Sequence, residues 1–432
     1  MEKKRRRKVS PWYILLTLVI APAAIWLTVN FLCWGVLNVG APGGSTQAEP
    51  LKLGALDRFD MQMTNKISSA LDGVLSIEKV YWLNDDDQIA PEPDPDKFGT
   101  TKNAADLAGF LEEANELLGV ENTLFSTDIK TYKQGHRLFT PPCVLGHEFS
   151  GVIVAAGADM DASLIGKKVA VAPYIGCGHC EMCENGFEEL CSTWPKPYTE
   201  GAFTEFLTVD ADMVKGGMLV LEDDMDEKVM TLAEPFACIL NSMGKSQVKP
   251  GQNALVIGAG PMGLLHIEGL KMAGVKNILV SEFNETRGKI AEAMGAKVIN
   301  PGKTPDVKAE IKKLLNGEKL QQVFVCVGIP AVVEDAMLLV DKGGTVNIFG
   351  GLKTGCTITI DPNIIHYSEV KLVGTFGFSS KNFMDAARSI AEGKVDLSNL
   401  ITHEFALEDA DKAFELGAHP TDDVVKIVVK MK

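Results

Sequence analysis

A glycine-rich turn between a strand and a helix constrains the fold of this 432-residue chain more than any other feature. Residues 253–257 have the composition of a buried strand, the sequence GAGPMG follows over residues 258–263, and a helical pattern continues through Met272. A second predicted strand over residues 277–281 is followed by Glu282. Strand, turn, helix and strand in this order are typical of a βαβ unit in a parallel sheet.

Further alternation of strands and helices extends this unit. Residues 322–327 and 345–349 have the composition of buried strands, and residues 332–340 between them have that of a helix. Helices that connect parallel strands cover the faces of the sheet. The sequence therefore predicts an α/β fold with a doubly wound parallel sheet.

Each glycine of the turn would have a separate role in binding a dinucleotide. Gly258 permits the sharp turn, Gly260 lets a pyrophosphate approach the backbone, and Gly263 lets the helix pack against the strand, with the phosphates on free N–H groups at the helix start. Glu282 would accept hydrogen bonds from the adenosine ribose and repel a 2′-phosphate, which favours NAD over NADP, although the nearby Arg287 weakens that preference. The predicted cofactor contacts are Gly258, Gly260, Pro261, Met262, Gly263, Glu282 and Arg287.

Four of the nine cysteines form a compact pattern, C-x2-C-x2-C-x7-C, at Cys177, Cys180, Cys183 and Cys191. Two-residue gaps let successive thiolates converge on one ion, and four thiolates in tetrahedral geometry make a closed structural zinc site. An iron–sulfur cluster of the ferredoxin type has a shorter final gap and a trailing proline, whereas Ser192 follows the last cysteine here. Disulfides would require an oxidising compartment. We therefore predict a structural Zn2+ ion.

The N-terminal segment has the pattern of a membrane anchor. A basic cluster at residues 3–8 precedes an almost uninterrupted apolar stretch over residues 12–39. Such a stretch is long enough to cross a bilayer as one helix, and the basic flank predicts a cytoplasmic N-terminus. A cleaved signal peptide has a shorter apolar core and a small-residue cleavage site, and a buried core helix fits poorly with the basic flank. We predict a single-pass membrane protein that contacts the lipid bilayer through residues 12–39.

The composition of the whole chain excludes two classes of protein. Hydrophobic residues make up 46% of the chain and charged residues 23%, which excludes wholesale disorder. The chain has 42 Lys and Arg against 57 Asp and Glu, a net charge of −15 despite the basic N-terminus. Because nucleic-acid phosphates are bound by basic surfaces, this balance argues against a nucleic-acid partner.

Residues 50–126 are rich in turn-forming and acidic residues, with amphipathic helices predicted over residues 70–81 and 104–118. Neither helix holds a cluster of metal ligands or a nucleophile–base pair, so we interpret this segment as a membrane-proximal structural stalk. Its residues 75–83 and 89–99 resemble the start of membrane-anchored phosphodiester-glycosidase-type proteins. This resemblance ends before any hydrolase domain and brings no active site.

The remainder of the chain, from about residue 127 to residue 432, resembles the zinc-containing medium-chain alcohol and polyol dehydrogenases. Besides the cysteine pattern and the glycine turn, the motifs are GHEFSG over residues 146–151, GAFTEF over 201–206, AEP over 233–235, NIIHY over 363–367 and LITH over 400–403. The last two are most similar to the sorbitol, threonine and cyclitol branch. The resemblance implies a β-rich GroES-like domain that carries zinc, beside a Rossmann domain that binds NAD.

The resemblance also implies a set of site residues and a reaction. His147 and Glu148 correspond to ligands of a catalytic zinc ion, and Glu234 corresponds to a carboxylate that approaches this ion directly or through water. Thr127 matches the hydroxyl that relays the proton. In this family zinc lowers the pKa of the alcohol oxygen and NAD accepts the hydride. The implied substrate is a polyol, sugar alcohol or related secondary alcohol, and a homodimer or homotetramer would match the family.

One position departs from the family pattern. The family's remaining zinc ligand is a cysteine in a C-x-[ST]-D setting, and here Phe125 occupies that position. Because phenylalanine cannot ligate zinc, we expect catalytic zinc to be weak or absent unless Cys143 substitutes, while the structural zinc stays. Two hypotheses follow: a zinc-dependent NAD-linked dehydrogenase that is impaired at this metal, or a membrane-anchored, non-catalytic NAD(H)-binding protein that retains only the structural zinc.

Together these features predict five segments and leave the membrane orientation open. The segments are 1–40 (basic flank and transmembrane helix), 41–126 (linker and stalk), 127–235 (a GroES-like domain lacking its first strands), 236–352 (Rossmann domain) and 353–432 (a C-terminal segment completing both lobes). The charge rule places the dehydrogenase part outside the cell, whereas NAD and free thiolates indicate the cytoplasm.

Overall fold

The computed structural model describes residues 82–83, 89–90, 116–124, 126–134, 143–157, 160–193, 201–204 and 206–430. The chain divides into two compact units, one of residues 1–98 and 137–143 and the other of residues 99–136 and 144–432. The membrane helix predicted over residues 12–39 lies outside the described residues, as does the helix predicted over residues 70–81. Within the described part of the chain, no helix is long and apolar enough to cross a membrane.

The described residues of the first unit form one pair of short strands. β1 (Trp82–Leu83) and β2 (Ile89–Ala90) pair antiparallel, with Trp82 opposite Ala90 and Leu83 opposite Ile89. Both strands lie in the segment interpreted as a stalk. A two-stranded pairing of this length contributes little stability by itself.

The second unit contains the helices and strands that build the candidate site. In chain order they are β3 (Glu116–Leu124), α1 (Ser126–Gln134), β4 (Glu148–Ala156), β5 (Lys168–Val171), α2 (Glu181–Glu184), β6 (Phe206–Val209), α3 (Ala211–Gly217), β7 (Met218–Val220), α4 (Glu227–Met230), α5 (Ala233–Lys245), β8 (Asn253–Ile257), α6 (Pro261–Met272), β9 (Asn277–Ser281), α7 (Glu285–Ala293), β10 (Lys297–Ile299), α8 (Val307–Leu314), β11 (Gln322–Val325), α9 (Pro330–Leu339), β12 (Thr345–Ile348), α10 (Pro362–Ser368), β13 (Lys371–Gly374), α11 (Ser380–Ala391), β14 (Ile401–Ala406), α12 (Ala410–Ala418) and β15 (Lys426–Lys430).

A six-stranded parallel sheet has the order β10-β9-β8-β11-β12-β13. Every residue of β8 and β11 is buried, as expected for parallel strands that helices cover on both faces. The doubly wound sheet predicted from the sequence is therefore confirmed, with β8 and β9 at the predicted bounds and β11 and β12 ending slightly earlier. The strand order reverses between β8 and β11, which is where such sheets bind ligands.

A seven-stranded sheet forms the β-rich part that the family resemblance implied. Its order is β14-β15-β3-β4-β5-β7, and β6 pairs with β3. All pairings are antiparallel except that of β14 with β15. The C-terminal part of the chain contributes to both sheets, because β13 joins the parallel sheet while β14 and β15 join the β-rich one.

The helix predicted over residues 104–118 is wrong for its last three residues, which belong to strand β3. Its first residues, 116–118, pair with both β4 and β6 and are therefore part of a strand. Hydrogen bonds to strands that are distant in sequence override a local apolar spacing that also fits a helix. β3 lies before the predicted domain boundary at residue 127, so the β-rich sheet begins earlier than that boundary. Phe125, between β3 and α1, lies outside the described residues.

Helix α5 connects the two sheets of this unit. It packs against α6 and α11, and a Cβ on Gly269 of α6 would lie 2.9 Å from Ile239 Cγ2 of α5 and 2.8 Å from Met243 Sδ. This close approach requires glycine. Because α5 is buried along much of its length, it fixes Glu234 in its first turn and Lys245 at its end.

Candidate functional site

The glycine turn between β8 and α6 is tight at two glycines and open at the third. Gly258 has a φ of +100°, a left-handed conformation that favours glycine. A Cβ on Gly263 would lie 1.9 Å from the carbonyl oxygen of Gly258, so only glycine lets α6 start this close to β8. A Cβ on Gly260 would meet nothing within 4 Å. Space is therefore left where a pyrophosphate would approach, beside the half-buried Pro261 and Met262 and the free N–H groups of the first helical turn.

Glu282 is held at this turn by two backbone N–H groups. Its Oε2 accepts a hydrogen bond from Ala259 at 2.6 Å, and its Oε1 accepts one from Asn284 at 2.8 Å. Each carboxylate oxygen can accept a further hydrogen bond, so ribose hydroxyls could still bind. In the described part of the chain, the buried Nε of Arg287 in α7 makes no hydrogen bond. The open turn, the fixed carboxylate and this guanidinium fit a dinucleotide.

A cavity of about 380 Å³ opens beyond the carboxyl ends of β12 and β13. Phe349, Gly350 and Gly351 line it after β12, and Thr375 and Phe376 line it after β13. Its volume lies within the usual range for small-molecule sites. A dinucleotide crosses such a sheet at the point where the strand order reverses. With the adenosine half at the turn after β8, the nicotinamide half would extend toward this cavity.

The four predicted zinc ligands converge. Their Sγ atoms lie within 4.8 Å of one another, with Cys177 and Cys183 4.0 Å apart and Cys180 and Cys191 3.8 Å apart. Four sulfurs at a Zn–S distance of about 2.3 Å lie about 3.8 Å apart, so this set fits zinc. Backbone N–H groups of Cys183 and Ser192 lower the pKa of Cys180 to about 5, which favours the metal-binding thiolate. Among the described residues this is the only such convergence of three or more His, Cys, Asp or Glu side chains.

His147, just before β4, pairs with Asp128 of α1. Its Nδ1 lies 3.3 Å from Asp128 Oδ1, and the same oxygen accepts a hydrogen bond from the N–H of Gly146 at 3.1 Å. Burial lowers the pKa of His147, but Asp128 and two neighbouring glutamates outweigh burial and raise it to about 9. The surrounding carboxylates therefore favour the protonated imidazole.

Glu148, at the start of β4, is buried and has its charge balanced by Lys426. The Nζ of Lys426 in β15 and the hydroxyl of Thr123 in β3 both donate to Glu148 Oε2. All three side chains are buried, so adjacent strands of one sheet bring this network together inside the protein. The other oxygen, Oε1, is also buried and has no hydrogen-bond partner in the described part of the chain.

Glu234 lies in the first turn of α5 and is also buried. Burial raises its pKa to about 8, the negative charges of Glu148 and Asp128 add to this effect, and the positive charges of His147 and Lys426 oppose it. Its Oε2 makes no hydrogen bond within the described residues. These mutual effects indicate that Glu234 belongs to the same charge cluster as His147 and Glu148.

The donor atoms of this charge cluster are less closely gathered than those of the four cysteines. Unlike the four cysteines, the ligand atoms of His147, Glu148 and Glu234 do not converge within 4.8 Å in the described structure. Catalytic zinc needs about three protein ligands. The contact of His147 Nδ1 with Asp128 leaves the other ring nitrogen for a metal, as is common in zinc-ligating histidines, and the buried Glu148 Oε1 and Glu234 Oε2 make no hydrogen bond in the described structure. Phe125 occupies the position of the expected cysteine, and Cys143 is exposed. Among the described residues, three converging ligands of the kind that hold a catalytic zinc ion are therefore found only in the cysteine group.

Thr127, the predicted proton-relay residue, is half-buried in the first turn of α1, where its carbonyl accepts a hydrogen bond from the Thr131 hydroxyl at 2.7 Å. Three functional residues carry no motif that indicates a role: Asp128 beside Thr127, Thr123 and Lys426. One signal was available for Lys426, since a lysine within the apolar sequence VVKIVV requires a buried partner.

Two protein families match the second unit. The alcohol dehydrogenase GroES-like domain matches residues 121–216, and the zinc-binding dehydrogenase domain matches residues 261–392. The first range contains the cysteine pattern and the His147–Glu148 pair, and the second begins at the start of α6 and includes Glu282 and Arg287.

Individual relatives agree with these matches. Sorbitol dehydrogenase of Bacillus subtilis is 28% identical over 298 residues, which cover 68% of this chain and 83% of the relative. D-altritol 5-dehydrogenase of Agrobacterium fabrum is 33% identical over 278 residues, which cover 62% of this chain and 78% of the relative. The crystal structure of 2R,3R-butanediol dehydrogenase from Bacillus subtilis aligns with a TM-score of 0.67 at 27% identity, covering 82% of this chain and 99% of that chain.

Proposed function

Because the chain belongs to the zinc-binding alcohol dehydrogenase family, we propose that its second unit oxidises the CH–OH group of a polyol, sugar alcohol or related secondary alcohol with NAD. Bound NAD would accept a hydride from the carbinol carbon while the hydroxyl loses a proton, so that the products would be a carbonyl compound, NADH and H+. The observation that carries the proposal is the turn at residues 258–263, open at Gly260 and with Glu282 fixed beside it. The relatives named for sorbitol, altritol and butanediol support the substrate class.

The chain's own residues would orient the dinucleotide from both ends. The first-turn N–H groups of α6 would bind the pyrophosphate, and the carboxylate of Glu282 would accept hydrogen bonds from the adenosine ribose. The same negative charge would repel a 2′-phosphate, which supports NAD over NADP. The nicotinamide half would enter the cavity beyond β12 and β13, which Gly350 and Gly351 line.

NADH fluorescence titration combined with an activity screen tests this proposal. Purified full-length chain should bind NADH saturably and should form NADH from NAD with sorbitol, altritol or a secondary alcohol. Binding without turnover would select the alternative function, a non-catalytic NAD(H)-binding protein. The poor fit of the charge cluster to catalytic zinc supports that alternative. Failure of NADH to bind would refute both functions.

We further propose that the chain holds the structural zinc tightly and catalytic zinc weakly or not at all. The support is the contrast between four converging thiolates and a charge cluster in which Lys426 already balances Glu148. Metal analysis of the desalted protein should give one zinc ion per chain. Two tightly held zinc ions per chain would refute this part of the proposal.

Restoring the missing ligand provides a second test of the metal site. Phe125→Cys should raise zinc content and polyol oxidation if the cysteine is the main deficit. Phe125→Ser, which changes the same position without supplying a thiolate, is the matched control and should raise neither. If Phe125→Cys also raises neither, the arrangement of the remaining cluster prevents metal binding.

Membrane attachment through residues 12–39 is a separate part of the proposal, supported by the apolar stretch and the basic residues before it. The full-length chain should stay in the membrane fraction after an alkaline wash, and a chain that starts at residue 41 should be released. Protease treatment of intact cells would then establish on which side the dehydrogenase part lies. Recovery of the full-length chain in the supernatant would refute attachment.

A further inference from the structure

The loop between the third and fourth cysteines is tied closely to the metal ligands. This loop spans residues 184–190, between Cys183 and Cys191. The N–H of Gly186 donates a hydrogen bond to the Cys183 carbonyl at 3.0 Å, and the N–H of Cys191 donates one to the Glu188 carbonyl, also at 3.0 Å. Both ends of the loop are therefore hydrogen-bonded to the backbone of the flanking cysteines.

Two glutamates of this loop bind the helices of the dinucleotide-binding part. Glu188 Oε2 accepts hydrogen bonds from the hydroxyl of Ser380 and from its backbone N–H at 2.8 Å, at the start of α11. The buried Glu189 pairs with the Nζ of Lys245, the last residue of α5, at 3.0 Å. The same Nζ lies 4.1 Å from the centre of the Phe187 ring, within range of a cation–π interaction. The loop thus holds the ends of two helices that pack against each other.

The same residues form one wall of the 380 Å³ cavity. Phe187, Glu189 and Leu190 of the loop line it together with Lys245, and the opposite wall is formed by residues that follow β12 and β13. A ligand in this cavity would therefore contact the cysteine loop on one side and the parallel sheet on the other. A displacement of the loop would change the shape of the cavity.

Zinc on the flanking cysteines would hold this loop together with the contacts of Glu188 and Glu189. Its regular structure consists of the last residue of α2 and a single 3-10 turn over Glu188–Leu190, and helices this short are not stable alone. Structural zinc supplies folding free energy directly in such segments. Loss of the ion would therefore release the contacts of Glu188 and Glu189.

We propose that zinc on the four cysteines and a nicotinamide dinucleotide in the cavity stabilise each other's binding through Glu188, Glu189 and Lys245. The inference rests on the NAD binding proposed above. Such coupling is reciprocal, because a ligand that fills the cavity stabilises the loop by the same free energy that zinc contributes to ligand binding. The three residues are positioning residues, since they act by holding the loop against α5 and α11.

The rate of zinc transfer from purified full-length protein to a chromogenic chelator reports this coupling. Saturating NADH should slow the transfer about fivefold or more, and zinc-depleted protein should bind NADH more weakly than zinc-loaded protein. An unchanged transfer rate in protein that binds NADH would overturn the coupling. Failure of NADH to bind at all would instead overturn the proposed function.

Matched variants separate this mechanism from general loosening of the protein. Lys245→Met removes the pair with Glu189 but retains all four cysteines and the glycine turn, so NADH should no longer slow zinc transfer. Glu188→Gln, which weakens the contact with Ser380, should reduce the effect and serves as the second variant if Lys245→Met folds poorly. Lys313→Met is the control, because it breaks an exposed ion pair with Glu310 in α8, outside the cysteine loop and the cavity lining. Wild-type coupling in both test variants would refute the proposal.

Discussion

Replacing Lys426 with methionine tests how much the buried ion pair between Lys426 and Glu148 stabilises the protein. Lys426→Met keeps most of the apolar side chain but leaves the carboxylate of Glu148 without its cation. The two side chains are 1% and 0% exposed, so water cannot compensate the remaining charge. Removing one partner of a buried ion pair costs about 3–5 kcal/mol. At about 2–4 °C per kcal/mol for a domain of this size, the apparent Tm should fall by about 6–20 °C.

Thermal unfolding followed by circular dichroism measures this change. Adding Glu148→Gln to Lys426→Met removes both charges, so the double variant should recover more than half of the lost Tm. Lys381→Met is the control, because it breaks an exposed pair with Asp385 and should leave the Tm unchanged. If Lys426→Met has the same Tm as Lys381→Met, the conclusion that the buried Lys426–Glu148 pair stabilises the fold is wrong.

Three further predictions concern the dinucleotide site and its surroundings. Gly260→Ala should leave the Tm unchanged but weaken NADH binding at least about tenfold in a fluorescence titration. Gly263→Ala should lower both the Tm and the affinity for NADH, because its Cβ would lie 1.9 Å from a backbone oxygen. Glu282→Gln should narrow the preference for NADH over NADPH in the same titration, since the charge that repels a 2′-phosphate is lost. Burial lowers the pKa of His266 to about 4, and an unfolded histidine titrates near about 6.5. Stability should therefore fall as the pH drops through this interval, and His266→Gln should flatten the decline in melting curves.

The parallel sheet was predictable because its signals are local. β8 and β9 are short apolar runs bounded by glycine and polar residues, and such runs fit a strand covered on both faces. β3 was not predictable in the same way, since Leu117 and Leu118 also fit the spacing of a helix. Its strand conformation depends on pairing with β4, β6 and β15, and no local pattern encodes that pairing.

The candidate site likewise has features that one short segment of sequence encodes and features that depend on residues distant in sequence. The cysteine pattern and the glycine turn each lie within one short segment, so their spacing alone indicates their chemistry. The partners of Glu148 come from elsewhere, since Thr123 is 25 residues away and Lys426 is 278 residues away in sequence. Only the folded β-rich sheet brings these side chains together. The sequence therefore identifies Glu148 as a site residue but does not reveal the contacts of its carboxylate with Thr123 and Lys426.

The most direct test of dinucleotide binding is an experimentally determined structure of the full-length chain with NADH. We expect the pyrophosphate beside Gly260, the adenosine ribose on Glu282, and the nicotinamide extending toward the cavity beyond β12 and β13. NADH bound away from the turn after β8, or a turn closed over by neighbouring side chains, would contradict the account.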